Sequence, residues 1–242
     1  MNKIKWIVFS VVTIGFLAIL IIFSGSSKID VSKINVNAVQ VASTQNGNIA
    51  DHVFGKSDSK VTLVEYGDFQ CSACFAAHPV IKAVTEAYKD QIQYVFRNFT
   101  LGAASGHPNG TIAATAAEAA GLQGKYWDMY NLVYEGQNSW TYLSGDKLIS
   151  VFDGYAQTLN LDMTKFRADS SQGNSVINKD ISAKISFDKA LGYKQSVDAT
   201  PTLFLNGTKL SGENWNDYTK SSQELKDEIN KELTKAGIAL PN

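Results

Sequence analysis

Cys71 and Cys74 stand three positions apart in Cys71-Ser72-Ala73-Cys74, and the chain has no other cysteine. On the first turn of a helix this spacing brings two thiols within bonding reach. The unpaired backbone N–H groups and the helix dipole there favour negative charge. A thiolate at Cys71 is then stabilised, its pKa falls, and it becomes a better leaving group. Cys74, one turn in, is expected to be less exposed and to resolve or receive a mixed disulfide. The chemistry these residue types can do is thiol–disulfide exchange. A purely structural bridge is a weaker reason for the pair, because closing so short a loop contributes only about 2 kcal/mol. An exported chain stapled by disulfides would also carry several cysteines, spread widely.

No metal is expected. A tetrahedral zinc site would need two further ligands, and a second cysteine pair is missing. The histidines are His52, His78 and His107. His78 lies four residues beyond Cys74 on the same helical face and is expected beside the helix as a partly buried polar residue. His107, before Pro108, reads as a loop or helix-start residue. Glu65 lies six residues before Cys71, inside an apolar run that reads as a buried strand. Burial raises a carboxyl pKa, and near Cys74 such a group can move a proton to or from the thiol. Thr200-Pro201 heads a later strand, where a proline needs no ladder hydrogen bond; strand grammar alone assigns it no chemistry.

These residues need elements to hold them. Val61-Thr62-Leu63-Val64-Glu65-Tyr66 has apolar residues on both parities, which predicts a strand covered on both faces. Gly67 to Gln70 ends it. A helix is expected from the cysteines to about Lys89, with Pro79 as a bend, and a second strand from Ile92 to Phe99. This is a βαβ unit. The middle reads as helical: an alanine-rich stretch from Thr111 to Ala120, then Tyr126 to Tyr134 with a bulky stripe of Trp127, Tyr130 and Tyr134. Two or three more helices are expected between Asp146 and Leu191. The aromatic stripe is read as core. Thr202 to Leu205 is a strand, Asn206-Gly207 a hairpin turn, and Lys209-Leu210 the return. Ser221-x-x-Glu224 is a capping box for a last helix. The order is βαβ, a helical block, then ββα, an α/β unit with an insertion.

The N-terminus is of a different kind. Lys3 and Lys5 precede an uncharged, mostly apolar run of 18 residues, Trp6 to Phe23. As a helix it spans roughly 27 Å, close to the ~30 Å hydrocarbon core. An uncleaved transmembrane signal-anchor over 6–23 is expected, with residues 1–5 cytoplasmic and everything after Phe23 outside. Residues 24–50, polar and rich in Ser and Asn, are expected to be a tether, with the folded domain over 51–242. Net charge is −1 with both signs mixed along the chain, which argues against a nucleic-acid partner.

Several segments together resemble the DsbA-like thiol–disulfide oxidoreductases, in particular their membrane-tethered or exported bacterial members. They are Glu65 to Cys74, Pro79, Val95-Phe96-Arg97-Asn98-Phe99, Gly121 to Lys125, and Val197 to Gly207. The resemblance covers most of Asp51 to Asn242. It implies a thioredoxin-like fold with a helical insertion at about 102–191 and no cofactor. Cys71 would be the attacking and attacked cysteine, Cys74 its buried partner, and Glu65 the buried acid near the second cysteine. Pro201 would be the cis-proline against the active-site disulfide, leaving the backbone beside Thr200 to pair with an extended substrate. Two departures bear on the redox balance. Ser72 and Ala73 stand where strong oxidants of the family carry Pro and His, which implies a milder oxidant. Thr200 stands where those oxidants often have Val, which leaves the direction of exchange open.

The leading expectation is an enzyme on the outer side of a cell membrane that donates disulfides to exported cysteine-containing proteins. A membrane redox partner, a quinone-linked enzyme, would reoxidise it. The alternatives are a tethered reductase or isomerase kept reduced by a membrane electron donor, and a non-enzymatic binding or chaperone module.

Overall fold

The computed structural model describes residues 29–170, 178–210 and 222–241. The chain divides into two units, Met1–Asp30 and Val31–Asn242. The expected membrane anchor at 6–23 lies outside the described residues, among which no helix is long and apolar enough to cross a membrane.

The second unit is built on a five-stranded mixed sheet in the order β1-β3-β2-β4-β5. The strands are β1 (Val53–Gly55), β2 (Thr62–Gly67), β3 (Gln93–Asn98), β4 (Thr202–Leu205) and β5 (Thr208–Leu210). β2 and β3 are parallel and are joined by helix α1 (Ser72–Ala87), the expected βαβ unit. All other pairings are antiparallel. β1 was not legible in the sequence: a three-residue edge strand is too short to show a period of two. The β4–β5 hairpin turns on Asn206 and Gly207, whose φ values of 49° and 80° are the left-handed pair that a type I′ turn requires.

β2 is buried on both faces, as its apolar residues on both parities imply. Leu63 and Glu65 share one face by the alternation of a strand. Their partners in register on β3 are Tyr94 and Phe96. Leu63, Tyr94 and Phe96 belong to the main core together with Cys74, Ala77, Ile81 and Val84 of α1. Glu65 therefore lies on the face covered by the helix that carries the cysteines.

The insertion between β3 and β4 holds six helices among the described residues: α2 (Gly110–Gly121), α3 (Tyr126–Glu135), α4 (Gln137–Trp140), α5 (Gly145–Thr158), α6 (Met163–Asp169) and α7 (Lys179–Lys194). A short 3-10 helix, Ala103–Ser105, precedes them, so the helical stretches between β3 and β4 run from Ala103 to Lys194. The alanines of α2 are all buried, which lets neighbouring backbones approach closely. The last helix, α8 (Ser222–Ala236), buries Leu225, Ile229 and Leu233 at i, i+4, i+8 and packs on α1. Its expected cap, Ser221, lies outside the described residues.

The polar segment expected to be a tether over 24–50 is, from Val31 onward, part of the folded unit. Asn46 and Ile49 are buried. Arg97 of β3 is fully buried and donates to the carbonyls of Val36 (2.6 Å) and Ala38 (2.8 Å) and to the carboxylate of Asp51 (2.8 Å). Lys194 donates to the carbonyls of Val31, Ser32 and Ile34. A buried guanidinium needs its hydrogen bonds filled, and backbone carbonyls fill them here. Composition could not show this, because any residue type supplies a carbonyl. Lys184 completes the cluster by bonding Asp51 (2.8 Å) and Asp188 (2.6 Å).

Candidate active site

The junction of β2 and α1 brings the two cysteines to the end of the sheet. Cys71 is the N-cap of α1, with extended backbone angles, and Cys74 lies in the first turn. Both thiols are free. Cys71 keeps 7% of its surface, whereas Cys74 has none. The expected asymmetry between an approachable and an enclosed sulphur is present.

Their electrostatics diverge as well. The Cys71 thiol is lowered to about 5. The largest cause is the hydrogen bond donated by the Cys74 thiol, which outweighs the opposing effect of burial. The Thr200 side chain and the backbone N–H groups of Cys74 and Ala73 act in the same direction. Cys74 is pushed well above its ordinary value, first by burial and then by the neighbouring Cys71 and Glu65 charges. At neutral pH the pair is poised as one thiolate and one thiol.

Thr200 and Pro201 are both buried and meet this site from the chain leading into β4. The Thr200–Pro201 bond is cis, and the Cys71 Sγ lies 3.4 Å from the Thr200 carbonyl oxygen. Ser72 and Ala73, between the cysteines, are exposed.

Glu65 is 1% exposed, and burial raises its carboxyl to about 7 against the hydrogen bonds that favour its charge. Those bonds come from two tyrosines. The Tyr94 hydroxyl makes a short hydrogen bond to Oε2, and the Tyr130 hydroxyl lies 3.5 Å from the same oxygen and 3.0 Å from Tyr94 Oη. A carboxyl poised near neutrality, on the face of the sheet beneath Cys74, can hold a proton or release it. Sequence reasoning found Glu65 but missed both tyrosines. Tyr130 sat in an aromatic stripe read as core, and its ring is indeed core; its hydroxyl is a partner of the acid. A phenol recurring among buried positions was the available signal, since a buried hydroxyl usually has a polar partner.

His78 does not join the cysteines as a ligand. It is buried, stacks on Tyr134 at 4.9 Å, and burial lowers it to about 4, so it is neutral. Among the described residues no group of three or more His, Cys, Asp or Glu is placed to hold a metal ion. His107 lies in the loop before α2, with Nδ1 3.4 Å from Asp68.

Two buried polar side chains that the sequence did not single out fix the junction. Gln137 of α4 donates to the carbonyls of Phe69 (2.7 Å) and Cys71 (3.1 Å). Asp68 accepts from the backbone of Gln70 (2.8 Å) and Leu101 (2.7 Å). The helical insertion thus acts as the clamp that holds the cysteine loop to the sheet.

The thioredoxin family model matches residues 47–228. The chain is 35% identical over 162 residues to a Na(+)/H(+) antiporter NhaA 1 of Salinispora arenicola, and likewise to one of Mycolicibacterium vanbaalenii. That match takes in 67% of this chain but only 22% and 24% of theirs, so the chain spans about a quarter of these relatives. Among solved structures, BdbD from Bacillus subtilis superposes with a TM-score of 0.62 at 20% identity, covering 81% of this chain and 98% of that one. Alpha-DsbA1 from Wolbachia pipientis gives 0.62 at 24% identity, covering 77% and 92%. MdbA, a thiol-disulfide oxidoreductase from Corynebacterium diphtheriae, gives 0.56 at 19%, covering 78% and 98%.

Proposed function

This chain belongs to the thioredoxin family, and from that premise we propose that it is a DsbA-like, extracytoplasmic thiol–disulfide oxidoreductase that donates disulfides to exported proteins. The observation that carries the reading is the divided pair: a Cys71 thiol lowered to about 5 beside a Cys74 thiol held high.

The steps follow from that division. With Cys71 and Cys74 joined as a disulfide, a substrate thiolate attacks the approachable sulphur, Cys71. The S–S bond breaks, and the electron pair leaves on Cys74. Cys74 holds a negative charge poorly, so it takes up a proton, and Glu65 at about 7 is the group suited to supply it. A mixed disulfide between Cys71 and the substrate remains. A second substrate thiolate attacks the substrate's own sulphur, forms the product disulfide, and expels Cys71 as a thiolate. Cys71 leaves readily because its pKa is low. The substrate has lost two electrons and the protein has gained them.

A lowered thiol pKa stabilises the reduced protein and makes its disulfide the more oxidising. This supports donation over reduction. Turnover then needs an electron acceptor in the membrane, for which a quinone-linked enzyme has suitable chemistry. The apolar run at 6–23 behind Lys3 and Lys5 supports a single-pass anchor with the catalytic unit outside. Thr200 and Pro201, against the Cys71 sulphur, are assigned to substrate binding, and Ser72 and Ala73 to tuning the thiolate.

The test is oxidation of a reduced, unfolded model protein by the oxidised chain. Parent protein should transfer one disulfide per molecule, and Cys71→Ser none. Full activity in Cys71→Ser would refute the reading. Alkylation trapping in cells that finds mainly the dithiol form would turn the assignment to a reductase.

A further inference from the structure

Beside the N-terminus of α1 lies a cleft of about 480 Å³ that the chemistry above does not use. The loop at 106–109 bounds it on one side and the loop at 141–144 on the other, and Gln70 and Ser72 complete its lining. One lining residue, Ser72, directly follows Cys71 in the chain, which puts the cleft beside the residue that carries the reacting sulphur.

Two properties set this cleft apart from an incidental fold of the surface. Its walls are pinned. The Gln70 side chain accepts from the backbone N–H of Asn109 (2.6 Å) and donates to the carbonyl of Thr141 (2.9 Å). The Asn109 side chain donates to the carbonyls of Thr141 (3.1 Å) and Leu143 (2.9 Å). The residue between those two carbonyls is Tyr142, so its backbone is held from both sides by one buried amide. Yet the Tyr142 ring is 95% exposed, more than any other large hydrophobic residue described. No ring among the described residues stacks on it. The fold fixes this aromatic residue in place and leaves it uncovered.

We propose that the cleft is the subsite for an apolar or aromatic side chain close to the cysteine of an extended, unfolded polypeptide, with Tyr142 as its specificity-determining contact. The proposal rests on the reading of Cys71 as the attacked sulphur. A substrate cysteine bonded there lies one residue from Ser72, which lines the cleft. An extended chain rises about 3.3 Å per residue, so side chains one to three positions away fall within its reach. The lining holds no lysine, arginine, aspartate or glutamate, which suits an uncharged side chain. The occupant is an unfolded segment because folding removes aromatic side chains from the surface, whereas a chain still lacking its disulfides displays them. Its backbone is already held, so covering the Tyr142 ring costs side-chain freedom without ordering the loop.

The experiment compares two peptides with a single cysteine, one with Phe two residues from it and one with Ser at that position. Each is presented to the oxidised full chain, and each rate is divided by the same protein's rate with dithiothreitol. Aromatic pairs contribute about 0.5–1.5 kcal/mol, so the parent should favour the Phe peptide by about two- to thirteen-fold. Tyr142→Ser should bring that ratio close to one, and Tyr142→Phe should restore it. Equal rates for both peptides in the parent, or an unchanged ratio in Tyr142→Ser, would overturn the subsite while leaving disulfide transfer intact. A protein that oxidises neither peptide nor dithiothreitol would instead overturn the function on which the subsite depends.

Discussion

Glu65→Gln isolates the energetic consequence of burying an acid beneath the cysteines. The carboxyl has an ordinary value of 4.5 and is raised to about 7 in the fold, chiefly by burial. At about 1.36 kcal/mol for each factor of ten in proton affinity, ionising it in the folded state costs roughly 3 kcal/mol. The sign follows from proton binding. Between pH 4.5 and 7 the folded protein holds this proton more tightly than the unfolded chain does. The stability linked to the protonated acid is complete below pH 4.5 and is lost as pH rises through about 7. Glutamine keeps an acceptor for the Tyr94 and Tyr130 hydroxyls and cannot ionise. Its extra N–H donors are expected to lower stability by about 1–3 kcal/mol at every pH. The informative quantity is therefore the pH dependence of the difference between the two reduced proteins. Urea unfolding at pH 4.5, 6, 7 and 8 should show the variant gaining roughly 3 kcal/mol on the parent across that range. Taking the difference also removes Asp188, which burial raises to about 6 in both proteins. A difference that stays constant with pH would mean that Glu65 does not titrate in this window, and the proton-donor role assigned to it would fall.

Alkylation of the reduced protein by iodoacetamide should modify Cys71 alone, with a rate that rises as pH passes through about 5, and mass mapping of the adduct checks both points. Presented with a disulfide-bonded substrate, reduced Cys74→Ser should attack it through Cys71, expel one substrate thiolate and accumulate the mixed disulfide on a non-reducing gel, because no second thiol within the protein can release it. Ala73→His places a cation on the exposed side of the motif; a gain on the order of 1 kcal/mol for the thiolate would lower the Cys71 pKa and raise the potential by about 20 mV in a glutathione equilibrium. Asp51→Asn removes the carboxylate shared by Arg97 and Lys184 and should destabilise the protein by about 3–5 kcal/mol, with new proteolytic cleavage within 31–50.

The sequence by itself determined the features that rest on short-range rules. Cys71 and Cys74 at the mouth of a helix, the Asn206-Gly207 hairpin, the β-branched run of β2 and the α/β order with its helical insertion are each set within about ten residues. Period, turn chemistry and helix-end electrostatics act over that range. Only the tertiary structure decided which groups face one another. β2 is apolar on both parities, so its sequence could not say which face Glu65 occupies or that Tyr94 and Tyr130, 29 and 65 positions away, would meet it. The same holds for Asn109 pinning the carbonyls on either side of Tyr142, and for the segment from Val31 that looked like a tether. That segment is held by its backbone carbonyls, which carry no side-chain signature, and by a buried arginine whose need for acceptors becomes visible only once β3 is enclosed. Contacts between distant positions depend on how the sheet and the inserted helices are stacked, and stacking is a property of the whole core rather than of any stretch of chain.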